Sequence, residues 1–322
     1  MQVLVLVALA FVLVKSTEVV SLSLRKLATY THLGKFGITA LLLALATSLP
    51  ELSVGVISAL EGNPTLSLGN VLGSNIANLS LVVGGAAAIS GRFAVVGSFL
   101  RRDLFLSFFA GSMPLLMLVD SRLSRFDGFV LLVVYAIFMF TVLYEKHVKG
   151  AGEVPVHARI RGRFVALISD GKVQRNTMRL AVGAGGLLIS SHFIVNLARG
   201  IAAGAGVPII LVGLFLVSIG TTLPELAFEI KAIKERQVAM VFGNLLGSIV
   251  TNSTLILGLV AVIRPFSLNG GLMPYLYATL GFVLMFMIFW IFAASKKRIE
   301  RWEGVVLILL FFVFAVVEMY GK

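Results

Sequence analysis

The chain has no cysteine among its 322 residues. Disulfides and thiolate metal sites are therefore excluded, and the redox character of its compartment cannot be read. Charge is scarce as well: 13% of residues are Asp, Glu, Lys or Arg, against roughly 25% in a soluble domain. The four histidines, His32, His147, His157 and His192, are scattered with no metal-ligand spacing. No His-Glu-x-x-His, Gly-x-Ser-x-Gly or paired catalytic Asp motif occurs, which argues against an intramembrane hydrolase. What the chain has instead is apolarity. Hydrophobic residues make up 58% of it, with 24 Phe against two Trp, and the mean hydropathy is +1.01. Several apolar runs reach or approach the ~20 residues that span a bilayer as a helix. These features describe an all-α polytopic membrane protein.

The opening run, "MQVLVLVALAFVLVK", lacks a positive leader and is followed by no small-x-small cleavage site, so it reads as an uncleaved first helix. Apolar runs and their punctuation predict helices near 2–24, 37–60, 65–90, 98–119 and 127–144, then 179–200, 208–231, 238–263, 271–294 and 302–320. The polar stretch 145–178 divides them into two five-helix halves, 1–144 and 179–322. Sorting the loops of this ten-helix chain leaves 21 Lys and Arg on one side and five on the other, with Lys15 inside the first helix. Cytoplasmic loops are enriched in Lys and Arg. The expected topology therefore has both termini outside the cell membrane and 145–178 in the cytoplasm. The net charge of +12 is accounted for by this sidedness. No aromatic-interleaved basic motif accompanies it, so a nucleic-acid partner is not expected.

One stretch occurs twice. "ATSLPEL" at 46–52 is answered by "GTTLPEL" at 220–226, and "LGNVLGSNIAN" at 68–78 by "FGNLLGSIVTN" at 242–252. All the matches share one offset of 174 residues without a gap: Thr47/Thr221, Pro50/Pro224, Glu51/Glu225, Gly69/Gly243, Asn70/Asn244, Gly73/Gly247, Ser74/Ser248 and Asn78/Asn252. The copies lie five helices apart. Five is odd, so they cross the membrane in opposite directions, as inverted-topology repeats of secondary transporters do.

The composition of the repeat has a chemical reading. Pro50 removes a backbone donor and crowds the carbonyl of Ala46, four residues back. Carbonyls released in this way must be satisfied by protein, water or a ligand. Thr47 and Ser48 add hydroxyls at that kink, and Glu51 lies one turn on from Thr47 on the same face. Thr221, Thr222, Pro224 and Glu225 repeat the set. Two carboxylates, four hydroxyls and freed carbonyls make a hard, oxygen-only donor set suited to Ca²⁺ and Na⁺. Ser74 and Asn78, and likewise Ser248 and Asn252, share a face and could complete it. An intramembrane carboxylate is costly and functional by default. The other acids carry blander expectations: Glu18 pairs with Lys15, Glu229 is solvated near the cytoplasmic mouth, and Glu318 sits near the end of the last helix. His192 is expected in hydrogen-bonded packing.

These two stretches resemble the α-repeats of the cation/Ca²⁺ exchanger superfamily, in particular its Na⁺/Ca²⁺ exchanger branch of prokaryotic type. "TSLPE" at 47–51 and "TTLPE" at 221–225, each followed by a Gly-Asn-x-x-Gly-Ser segment, carry the resemblance. It covers nearly the whole chain. It implies an electrogenic antiporter in which several Na⁺ move against one Ca²⁺ through overlapping sites, with no cofactor. By motif position, Glu51, Glu225, Thr47 and Thr221 would bind Ca²⁺. Na⁺ would use these together with the carbonyls of Ala44 and Ser218 and the side chains of Ser48, Thr222, Ser74 and Ser248. Asn78 and Asn252 would line the centre. The sequence departs from the family pattern at Ala46, where Gly is usual, at Thr222 for Ser, at Ser218 for Ala, and at Asn252, where K⁺-dependent relatives carry Asp. Two alternatives remain: H⁺ in place of Na⁺, and a Ca²⁺-permeable channel. The channel is disfavoured, because channels assemble symmetric subunits around a pore whereas an inverted repeat builds its site within one chain. A functional monomer is expected.

Overall fold

A computed structural model describes residues 2–30, 45, 47–95, 102–149, 171–235, 237–268 and 273–320. It is all-helical apart from two short ribbons. In chain order the helices are α1 (Gln2–Tyr30), α2 (Leu49–Leu60), α3 (Pro64–Ser90), α4 (Arg102–Met117), α5 (Arg125–Lys149), α6 (Gly171–Ala205), α7 (Ile209–Lys234), α8 (Val238–Ile263), α9 (Met273–Ser295) and α10 (Arg301–Tyr320). Among the described residues, eight helices are long and apolar enough to cross a membrane: α1, α3, α4, α6, α7, α8, α9 and α10. The described part of α2 is a shorter apolar helix. Helix ends in α5 and α6 run into the stretch that the sequence assigns to the linker; residues 150–170 of that stretch lie outside the described set.

Burial separates the helices into an inner and an outer class. In α3 and α8, 78% of the most apolar window is buried, against 33% in α1, α6 and α10. The two helices carrying the Gly-Asn-x-x-Gly-Ser segments are therefore central, and α1, α6 and α10 turn much of their surface outward. α1 lies along α6, where Gly183 and Gly186 of α6 face Val20 and Ser16 of α1. Close helix contact through small residues is how membrane helices associate where no hydrophobic gradient drives them together. The same device brings α3 against α7. A Cβ on Gly69 would meet the carbonyl oxygen of Ile210, one on Gly73 that of Leu214, and one on Gly213 that of Leu66 at 2.5 Å.

Three inner segments are wound as π-helix: Asn78–Val82 in α3, Val212–Val217 in α7 and Thr251–Ile256 in α8. The first and third begin at or next to Asn78 and Asn252, the last matched pair of the repeat. A π-turn loosens the i→i−4 ladder and recurs at functional sites. The two prolines behave differently. Pro50 stands in the first turn of α2, where its missing N–H is harmless, whereas Pro224 sits inside α7. Ala46, whose carbonyl Pro50 should release, lies outside the described residues.

The ribbons tie the halves together. Strand β1 (Phe93–Ala94) pairs antiparallel with β4 (Arg298–Ile299), and β2 (Arg122–Leu123) with β3 (Phe266–Ser267). Each ribbon takes one strand from each half. The charge pattern assigns the β1 and β4 loops to its Lys/Arg-rich side and the β2 and β3 loops to the other, so each pair falls on a single side.

Candidate functional site

The repeated motifs meet at the centre of the molecule, where α2, α3, α7 and α8 pack on one another. Glu51 is 0% exposed and Glu225 1%. None of their four carboxylate oxygens has a hydrogen-bond partner. The hydroxyls of Thr221 and Ser74 lie beside the Glu51 carboxyl without closing a full hydrogen bond onto it, and Glu225 is within electrostatic reach of Glu51. Buried carboxylates are normally paired or ligating. Two of them stand together with no cation among the described side chains bonded to either.

Around them the hydroxyls and amides bond across the halves. Thr47 Oγ1 donates to Asn244 Oδ1 at 2.8 Å, and Thr221 Oγ1 to Asn70 Oδ1 at 3.2 Å. Ser74 Oγ and Thr221 Oγ1 are 3.3 Å apart, and Ser48 Oγ donates to Ser248 Oγ at 3.4 Å. Thr221 and Thr222 both direct their hydroxyls at the Ser218 carbonyl, at 3.1 and 2.8 Å. That carbonyl is thus drawn into the same network. Asn252 Nδ2 donates to Asn75 Oδ1 at 3.2 Å, and Asn75 Nδ2 to Ser253 Oγ at 2.8 Å. This anchoring leaves Asn252 Oδ1 without a partner, while Asn78 has neither its oxygen nor its nitrogen bonded. Thr47, Ser48, Ser74, Asn78, Ser218, Thr221, Thr222, Ser248 and Asn252 are all buried. Ala44 lies outside the described residues.

Among the described residues no group of three or more His, Asp or Glu could hold a metal ion. The residues gathered here offer two carboxylates and neutral oxygens, donors of the hard kind that Ca²⁺ and Na⁺ accept.

A family model described as "Sodium/calcium exchanger protein" matches residues 1–144 and 176–320. The chain belongs to this family. Its family activity is cation/Ca²⁺ exchange across a membrane, and the apolar helices make the chain a multi-pass membrane member. CaxA of Alkalimonas amylolytica is 30% identical over 275 residues, 84% of this chain and 83% of that protein. The sodium/calcium exchanger MaX1 of Methanosarcina acetivorans is 27% identical over 338 residues, 96% and 95% of the two chains. Among solved structures, the sodium-calcium exchanger NCX_Mj soaked with 100 mM Na⁺ and 10 mM Sr²⁺ has the same fold, with a TM-score of 0.65 at 23% identity over 97% of both chains.

Within this exchanger several residues outside the motif reading come to notice. Asn70 and Asn244 receive the threonine hydroxyls. The repeat itself marked them, since they match at the 174-residue offset, although only their flanking glycines drew a role. Asn75 orients Asn252 yet pairs with Ile249 in the repeat, so no sequence signal pointed to it. Glu229 requires a correction. Expected in solvent at a mouth, it is fully buried with both oxygens unpartnered, on a helix against which α1, α3 and α8 pack. Lys15 Nζ pairs with Glu18 Oε2 at 2.9 Å, as its spacing predicts. Glu318 is buried near the end of α10. His192 bonds Glu61 and Asn196 at a half-exposed position, away from the centre.

Proposed function

We propose that the protein is a Na⁺/Ca²⁺ antiporter of the cell membrane that works by alternating access. Ca²⁺ is held between Glu51 and Glu225 with Thr47 and Thr221. Na⁺ occupies overlapping positions that add the carbonyls of Ala44 and Ser218 and the side chains of Ser48, Ser74, Asn78, Thr222, Ser248 and Asn252. The observation that carries this reading is the pair of fully buried carboxylates with all four oxygens unpartnered. Each buried negative charge costs several kcal/mol when left uncompensated. A divalent cation cancels both charges at once, and Na⁺ ions can offset them in its place. Either load removes the uncompensated negative charge, which is the requirement for exchange.

In this reading the chain has ten membrane-crossing helices in two inverted repeats, residues 1–144 and 179–322, joined by a cytoplasmic 145–178 segment, with the termini outside. The crossed hydrogen bonds and the two mixed ribbons support that symmetry. One chain supplies every ligand, so a monomer suffices. Na⁺ as the counter-ion is supported by the Thr-x-Leu-Pro-Glu form of both motifs and by likeness to a relative named a sodium/calcium exchanger. Asn252 brings an amide where an acid would serve K⁺, so K⁺ is not required. The test is ⁴⁵Ca²⁺ uptake into Na⁺-loaded proteoliposomes diluted into Na⁺-free medium. Uptake should follow the Na⁺ gradient and be indifferent to K⁺. Uptake that follows a pH gradient alone would make the protein an H⁺/Ca²⁺ antiporter.

A further inference from the structure

Glu229 stands outside the motif and outside the set of groups described above. It is 0% exposed, and neither carboxylate oxygen has a hydrogen-bond partner. It lies one helical turn beyond Glu225, so the two carboxyls share a face of α7, and the charge of Glu229 reaches Glu225. The register with α3 places it further. Ser218 packs on Gly73, Thr221 on Ser74 and Leu226 on Gly85, so the two helices run side by side in the same direction. Glu229 is thus level with the last turns of α3, between Glu225 and the exposed Lys231 and Lys234 at the end of α7.

Among the described residues no cation is bonded to it. Pro64–Ser90 and Val238–Ile263, which pack on α7, contain no titratable residue. Lys15 of α1 is spent on Glu18 at an exposed position, and Glu61 at the end of α2 is engaged by His192 and Arg199. The repeat is broken at this position too. The 174-residue offset maps Glu229 to Gly55, where a Cβ would come within 2.8 Å of Ile256 Cγ2 and 3.0 Å of Ser67 Oγ. One half of the molecule carries a carboxylate at this level, and in the other a Cβ would fit only if Ile256 or Ser67 shifted. Glu229 therefore breaks the two-fold pattern of the centre.

We propose that Glu229 is an additional cation-binding position, which receives Ca²⁺ or Na⁺ in transit between Glu225 and the mouth at the Lys231 end of α7. The proposal rests on the central-site reading above, since it supplies the route to that site from one face. Its carboxylate lowers the cost of bringing a partly dehydrated cation past the apolar turns of α3 and α8. A one-sided acid makes the two faces of an otherwise two-fold exchanger unequal in apparent affinity.

The test compares wild type, Glu229→Gln and Glu229→Asp in proteoliposomes of defined orientation, reading the half-saturating Ca²⁺ and Na⁺ concentrations at each face. Glu229→Gln should raise them by about fivefold or more at the Lys231 face only, and Glu229→Asp, which keeps the charge, should recover most of that loss. Wild-type values at both faces in Glu229→Gln would show a neutral packed acid and overturn the proposal. An equal rise at both faces would also overturn it, by placing Glu229 in the centre. Thermal melting of each variant identifies loss of fold, and if Glu229→Gln does not fold, Glu229→Asp with wild-type values at the Lys231 face supports a charge-dependent role while altered but equal faces refute it. Failure of the central reading is read separately, from exchange by Glu225→Gln.

Discussion

Thr47 donates its hydroxyl to Asn244 at 2.8 Å, and the residues 174 positions away repeat the bond with the chain order reversed, Thr221 donating to Asn70 at 3.2 Å. Each half thus supplies the threonine of one bond and the asparagine of the other. The threonines precede the two buried glutamates by one turn, so these bonds fix where both carboxylates stand.

Coupling across the halves follows directly. A buried hydrogen bond is worth about 1 kcal/mol net. Thr47→Val and Asn244→Ala should each destabilise the folded exchanger, and the double variant should lose less than the sum by about 1 kcal/mol. Thermal melting of the four proteins in one detergent measures this; strict additivity would mean the bond does not hold the site.

Gly73 should tolerate no side chain. Its Cβ would meet a backbone carbonyl of α7, which cannot rotate away as a side chain can. Gly73→Ala should push α7 from α3, destabilise the protein by about 1–3 kcal/mol and slow exchange strongly. Gly185→Ala, with open space at its Cβ, should leave melting and exchange near wild type.

The helices were largely legible in the sequence, because a membrane demands long apolar runs and separates them with charge. Observed bounds of Val238–Ile263 and Arg301–Tyr320 differ from the expected 238–263 and 302–320 by a residue at most. Glu51 and Glu225 were legible because a repeated carboxylate in an apolar run has few structural explanations. What stayed hidden depends on packing. The π-turn at Asn78–Val82 and its counterpart leave no mark on apolar periodicity, and Asn75 has no repeat partner. Glu229 reads as solvated from its place near the cytoplasmic mouth, yet the packing of the helices leaves it fully buried.

Glu300 gives a pH dependence away from the membrane. It accepts hydrogen bonds from Trp302 Nε1 at 2.8 Å, Lys296 Nζ at 3.2 Å and Arg298 Nε at 2.9 Å, which hold its carboxyl down from the usual 4.5 to about 2. A lowered folded-state value means the contribution is present above pH 4.5 and is lost as pH falls towards 2. Trp302 fluorescence should therefore change with a midpoint near 2, and Glu300→Gln should remove that transition. A midpoint at the ordinary carboxylate value would refute the arrangement.

Sidedness can be read by labelling, because the chain has no native cysteine. Ser295→Cys lies next to the β1–β4 ribbon and Ser267→Cys in the β2–β3 ribbon, both at exposed positions. An impermeant thiol reagent added to intact cells should reach position 267 and not 295. The reverse pattern would invert the topology.

The most direct test is equilibrium ⁴⁵Ca²⁺ binding to the purified protein and to folded Glu51→Gln and Glu225→Gln variants. The wild type should bind Ca²⁺ and release it as Na⁺ is added, steeply and competitively. Each glutamine variant should lose Ca²⁺ affinity by about a hundredfold or more, since one uncompensated charge of a buried pair is worth about 3–5 kcal/mol. Wild-type Ca²⁺ affinity in either variant, with its fold intact, would contradict the account.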